Sequence, residues 1–147
     1  MKTFGLATTQ SKPPRLWQVV GLRHSHGMAV LDQIHKGLDG KVARLIMKWA
    51  NMTQNDLSKA CGISSMEFSR STKTRFSAEQ SERLVRLIRA IDHAVELFEG
   101  NKEGAQKWLN EPNRALRWKT PVELMTSETG AYEVMMLISR LEHGVIS

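Results

Sequence analysis

The sequence predicts an all-α protein in which a helix-turn-helix domain is followed by a long helix and a small C-terminal helical domain. Three observations predict it. Apolar residues recur at helical spacing over much of the chain, and no stretch sustains the two-residue alternation of a half-buried strand. Helix-start patterns, a Ser or Thr followed three residues later by an acid or amide, occur at Thr53 with Asp56, Ser64 with Glu67, Ser77 with Gln80 and Thr120 with Glu123. Residues 54–71 have the composition of two short helices joined by a glycine turn.

Taken in order, residues 1–15 mix Thr, Ser, Gly and Pro without apolar periodicity and read as an extended or disordered arm. The first domain boundary is set at residue 27, so that 1–27 form an N-terminal arm, partly disordered. Met28, Leu31 and Ile34 suggest a short helix ended by Gly37. Val42, Leu45, Ile46 and Trp49 then mark one face of an amphipathic helix. Thr53 opens the next helix, which Gly62 stops, and the helix from Ser64 fades near Lys73. The helix-turn-helix domain is thus placed at 28–76. Ser77 starts the most regular stretch, with Leu84, Leu87, Ile88, Ile91, Val95 and Phe98 on one side of a helix of about five turns. Arg83, Arg86 and Arg89 on its other side fit a solvated face better than a binding stripe. This connecting helix takes 77–100, and 101–147 form the C-terminal domain. Within it come a helix over 103–109, a break at 110–113, a helix started by Thr120 and Pro121, and a last helix from about Ser127 to Leu141. The last helix has Val134, Leu137, Ile138 and Leu141 as its core stripe, continued by Val145 if it extends that far.

Composition narrows the function. The chain has 147 residues, 41% of them hydrophobic, enough to bury a core. Its apolar runs reach four or five residues, as at 19–22 or 135–138, far short of the ~20 residues of a membrane span, and no signal-peptide core follows Lys2, Lys12 and Arg15. A soluble protein of the cytoplasm, with no membrane partner, is expected. Cys61 is the only cysteine, which leaves no intrachain disulfide or cysteine-based zinc site. The net charge of +6 is uneven: residues 41–76 hold seven Lys/Arg against two acids, whereas 77–147 hold nine against eleven. A polyanionic partner for the first half is one explanation of that excess, and simple solubility the other. His24, His26, His35, His93 and His143 lack the i, i+4 pairing of a metal site, and no phosphate loop, nucleophile elbow or carboxylate pair with a matching base is present. No catalytic residue, metal site or cofactor is expected.

In the helix-turn-helix, Ser58 is the small residue where the two helices meet, Gly62 supplies a left-handed turn, and Leu57, Cys61, Ile63 and Phe68 point inward. Cys61 is a small core residue on this reading. Ser71 departs from the pattern, standing where an apolar residue usually closes the core. The exposed side of the second helix carries Ser64, Ser65, Met66, Glu67, Ser69, Arg70 and Lys73. Arg70 suits a guanine edge, Ser65 and Ser69 a phosphate or base, and Lys73 and Arg75 the backbone. Thr53 and Gln54 sit at a helix N-terminus, where amides favour phosphate. A motif kept only as scaffold or for dimerisation remains the alternative, and Glu67 would repel phosphate unless it meets a cytosine or serves the cap at Ser64.

The C-terminal segments are more specific. Ala105-Gln106-Lys107-Trp108-Leu109-Asn110, Asn113-Arg114-Ala115-Leu116, Thr120-Pro121-Val122-Glu123-Leu124-Met125, Thr129-Gly130 and 138–147 together resemble the toxin-binding domain of the Xre/MbcA/ParS antitoxin family. With the helix-turn-helix included, the resemblance runs from about Val30 to Ser147. It implies a homodimer, a cognate toxin bearing a RES domain that consumes or uses NAD, and repression of the shared operon by binding operator DNA. It also implies that the C-terminal segment, with Arg140, Glu142, Gly144, Val145 and Ser147 matching, obstructs the toxin's NAD pocket. One departure falls at Arg117 and Trp118, where the family usually has small residues or glycine.

The residues themselves add to this. Trp108, Leu109, Leu116 and Leu124 close a small core, and Gly130 allows a close approach. Beyond its core stripe the last helix carries Tyr132, Met135 and Met136, more apolar surface than one seam needs, assigned to toxin or dimer partner. Trp118 is assigned to the partner as well, and so is the tail from Glu142 and His143 through Gly144, Val145, Ile146 and Ser147. The rival class is a stand-alone regulator whose C-terminal domain only dimerises or senses a ligand.

Overall fold

The structure is a computed structural model that describes residues 14–144. Among them are nine α-helices and one 3-10 turn: α1 (Leu16–Val19), α2 (Met28–Lys36), α3 (Lys41–Ala50), α4 (Gln54–Cys61), α5 (Ser65–Thr72), α6 (Ala78–Leu97), α7 (Lys102–Leu109), the 3-10 turn (Arg114–Leu116), α8 (Pro121–Leu124) and α9 (Glu128–Glu142). No strand forms among the described residues, only isolated bridges between Asp39 and Arg75 and between Asn113 and Lys119. No helix there is long and apolar enough to cross a membrane.

The helix starts are made by the capping residues. The Thr53 hydroxyl accepts the Asp56 amide at 3.0 Å while the Asp56 carboxylate accepts the Thr53 amide at 3.2 Å. Ser77 with Gln80 and Thr120 with Glu123 repeat that reciprocal arrangement. Each such cap contributes about 1 kcal/mol by satisfying amides that have no partner inside the helix.

Helix α6 is the axis of the molecule, packed against α1, α2, α4, α7 and α9. Leu84, Val85, Leu87, Ile88, Ala90, Ile91 and Ala94 are all buried, more than one stripe, because elements cover this helix from several sides. The helix-turn-helix and the C-terminal helices therefore lean on a single central rod.

Three expectations change. The segment assigned to an N-terminal arm contains α1, whose Leu16 is fully buried along with nearby Val20 and Leu22. Burying Leu16 is worth about 2 kcal/mol, and the buried Asp92 carboxylate on α6 accepts the Leu16 and Trp17 amides at 2.6 and 3.1 Å. The face of α2 is also rotated: Val30 and Ile34 are buried, while Met28 and Leu31 face outward. Finally, Arg83 and Arg89 do not form a solvated face. Arg83 Nη1 donates to the Gly62 carbonyl at 2.9 Å and Arg89 Nε to the Ser25 carbonyl at 2.6 Å, so each half-buried guanidinium ties a loop to the rod.

Candidate functional site

The first candidate surface is built by α4, the Gly62 turn and α5. Ser58 is buried against the second helix with its hydroxyl donating to the Asn55 carbonyl at 3.1 Å. Gly62 has φ 67°, the left-handed turn a side chain would strain. Leu57, Cys61, Ile63 and Phe68 close the interior, and the Phe68 and Phe76 rings meet at 5.5 Å. Burial pushes the Cys61 thiol up to about 12, against the opposing pull of Arg86 and Arg83, which makes it an inert core group. At the odd slot, the Ser71 hydroxyl donates to Gln80 Oε1 at 3.1 Å, the same oxygen that caps α6. A polar clasp replaces the apolar closure.

The predicted DNA-facing residues divide into two groups. Thr53, Gln54, Ser65, Met66, Arg70 and Lys73 are exposed, and Ser69 is half-buried. The Ser64 hydroxyl is held in the cap of α5, accepting the Glu67 amide and donating to the Glu67 carboxylate, both at 3.2 Å. That also accounts for the acid on this face. Arg75 donates from its guanidinium to the Gly37 carbonyl, which commits part of it to holding the α2–α3 turn.

The second candidate surface lies on α9 and the turn before α8. Ala131, Val134, Leu137 and Ile138 face the core, and Leu141 and Met135 are only partly buried against it. Opposite that stripe, at 100° per residue, stand Tyr132, Met136 and His143. Tyr132 is 61% exposed and Met136 also lies at the surface. Arg140 is half-buried beside this line and Glu142 is exposed at its end. His143 Nδ1 lies 2.7 Å from the Ser139 carbonyl, and Gly144, φ 71°, turns the chain out of the helix. Val145, Ile146 and Ser147 lie outside the described residues.

Gly130 sits in the first turn of α9 where an added Cβ would fall on the Leu124 carbonyl oxygen, inside van der Waals contact. Glycine is what lets α8 and α9 form their tight corner. Arg117 and Trp118 are successive non-glycine residues in the left-handed region, with φ 57° and 67°. Their sequence departure thus falls where the backbone favours glycine. The Trp118 amide donates to the Asn113 carbonyl at 2.8 Å, and the indole is 67% exposed.

Asp92 was not singled out from sequence. The signal for it was a carboxylate on the covered side of the longest helix, beside Ile91 and Val95.

Two family models match the chain: the antitoxin Xre-like helix-turn-helix domain at residues 29–89, and the antitoxin Xre/MbcA/ParS C-terminal toxin-binding domain at residues 93–144. A protein named Antitoxin Xre from Photorhabdus laumondii subsp. laumondii is 38% identical over 94% of this chain and 93% of its own. The chain belongs to the Xre antitoxin family. A second Antitoxin Xre, from Yersinia enterocolitica, is 39% identical over 95% of this chain and 96% of its own length. A chain of the crystal structure of the M. tuberculosis MbcT–MbcA toxin–antitoxin complex shares the fold, with a TM-score of 0.56 over 74% of this chain and 96% of that one at 20% identity. Both candidate surfaces of this Xre-family chain lie within the matched regions, and α6 carries the junction between them.

Proposed function

We propose that this chain is the antitoxin of a two-protein system, that it holds its toxin through α9 and the Trp118 turn, and that residues 143–147 obstruct the toxin's active site. The observation that carries the reading is the line Tyr132, Met136, His143. Tyr132 and Met136 are exposed apolar side chains on a helix whose other side is already buried, and their line ends at His143, where the tail begins. A toxin seated on that line has His143 and Gly144 at the edge of its contact. Inhibition is then steric, which asks no catalytic group of the antitoxin. The partner we propose is a RES-domain protein that consumes or uses NAD, as the Xre/MbcA/ParS family implies. We further propose that the chain acts as a homodimer and represses its own operon through the α4–α5 unit. The exposed cations Arg70 and Lys73 at the C-terminal end of α5, on the same unit as the capped N-termini of α4 and α5, support that part.

Co-expression with the product of the neighbouring gene tests the reading. Full-length chain should form a complex and restore growth and cellular NAD. Tyr132→Ala with Met136→Ala should weaken the complex by ten-fold or more, the usual cost of truncating interface anchors. A chain that neither binds the neighbour nor changes growth would instead be a stand-alone regulator.

A further inference from the structure

Resting on the reading that α5 lies in a DNA groove, we infer that Met66 reads a thymine methyl group and that Met66 and Arg70 together select a thymine and a guanine about two base pairs apart. Phe68 is fully buried and fixes which side of α5 faces the protein. At 100° per residue, Met66, Arg70 and Lys73 lie opposite Phe68, within about 60° of one another. They form the ridge farthest from the body of the molecule. Ser65 and Ser69 sit on one flank, Ser69 half-buried, and Glu67 on the other, tied to the Ser64 cap.

Met66 is 70% exposed, and its neighbours on the surface of α5 are Ser65, Glu67, Arg70 and Lys73, all polar or charged. A lone apolar side chain between polar neighbours is too small a patch to seat a protein. It is also out of place on a helix whose outer ridge is otherwise cationic, unless the polyanion it meets displays an apolar group. The thymine C5-methyl is that group in the major groove. A recognition helix points its N-terminal residues at the base edges, and Met66 is the second residue of α5. Arg70, one turn later, reaches O6 and N7 of a guanine with its paired donors. Four residues of helix advance about 6 Å, close to two base steps of about 3.4 Å. Lys73, beyond the end of α5, falls to the phosphate backbone.

The experiment uses the full-length chain and the duplex it protects from nuclease upstream of its own coding sequence. Each thymine of the protected site is replaced singly by deoxyuridine, which removes only the methyl. One replacement should weaken binding about four-fold, the worth of one buried methyl group. Met66→Ala should bind the unmodified duplex about four-fold more weakly and be indifferent to that replacement, while Met66→Leu keeps the discrimination. Replacing the guanine two pairs away by 7-deazaguanine should weaken binding by the full-length chain and not by Arg70→Ala. The inference is overturned if no thymine is sensitive, if Met66→Ala keeps the sensitivity, or if Met66→Ala loses the toxin complex with DNA binding intact. Equal binding to the protected duplex and a scrambled one would overturn operator recognition through α5, and no binding to either would overturn the DNA-binding reading itself, both measured separately from the methyl series.

Discussion

Asp92 shows how one side chain joins the first described residues to the rest. Its carboxylate is buried on α6 and accepts two amides that α1 cannot satisfy internally. Asp92→Ala should lower stability by about 1–3 kcal/mol in urea unfolding, the cost of leaving buried donors unpaired, and should shift Trp17 fluorescence toward that of a solvated indole. Burial raises the Asp92 pKa above its ordinary value of 3.8, against the pull of the Leu16 and Trp17 amides and of Arg15 and His93. A carboxyl with a raised folded-state pKa gives its full contribution below 3.8 and loses part of it as pH rises through the folded value. The advantage of the native chain over Asp92→Asn should therefore shrink from pH 3.5 toward neutrality, and a constant difference would contradict this account. Cys61 offers a second residue-scale readout. Its buried thiol, held near 12, should react with alkylating reagents at pH 8 only as fast as the α4–α5 unit opens.

At the scale of elements, two backbone positions set the C-terminal domain. Gly130→Ala would force α9 away from the Leu124 carbonyl and should cost about 1–3 kcal/mol, as overpacking does. Arg117→Gly should do the reverse, stabilising by about 1 kcal/mol as the left-handed penalty is removed. Both are read by thermal unfolding, and unchanged melting in Arg117→Gly would show that the turn is not strained. These elements were largely legible in the sequence because caps are local. Thr53, Ser64, Ser77, Ser127 and Thr120 each accept an amide three residues on, and the neighbouring residues suffice to predict it. α1 was not legible, because its four residues show no periodicity and are held by Asp92, 76 residues away from Leu16. The face of α2 was misread for a related reason: 28, 31, 34 and 30, 34 are both helical spacings, and only packing against α6 chooses between them. In the candidate sites, exposure of Met66, Trp118 and Tyr132 matched the sequence reading, whereas the work done by Ser64 and Arg75 within the fold depends on contacts the pattern does not show.

For the whole molecule, α6 is the common support of the α4–α5 unit, the N-terminal segment and α9, so loops tied to it report on global stability. The Ser25 loop, held by Arg89, is one such loop. Burial, then Arg89, His93 and His24, lower the His26 pKa below 6.5. A histidine with a depressed folded-state pKa contributes fully above 6.5 and loses that contribution as pH falls through the folded value. The melting temperature should thus fall between pH 7.5 and 5, and fall less in His26→Gln. On α9 the proposed division of labour is that a folded domain holds the toxin while the terminal segment blocks it. The most direct measurement is co-expression of the neighbouring gene product with full-length chain and with a chain lacking residues 143–147, following complex formation, growth and cellular NAD. Both chains should assemble with the toxin and only the full-length one should restore growth and NAD; rescue by the truncated chain equal to that by the full-length one would contradict a blocking role for residues 143–147.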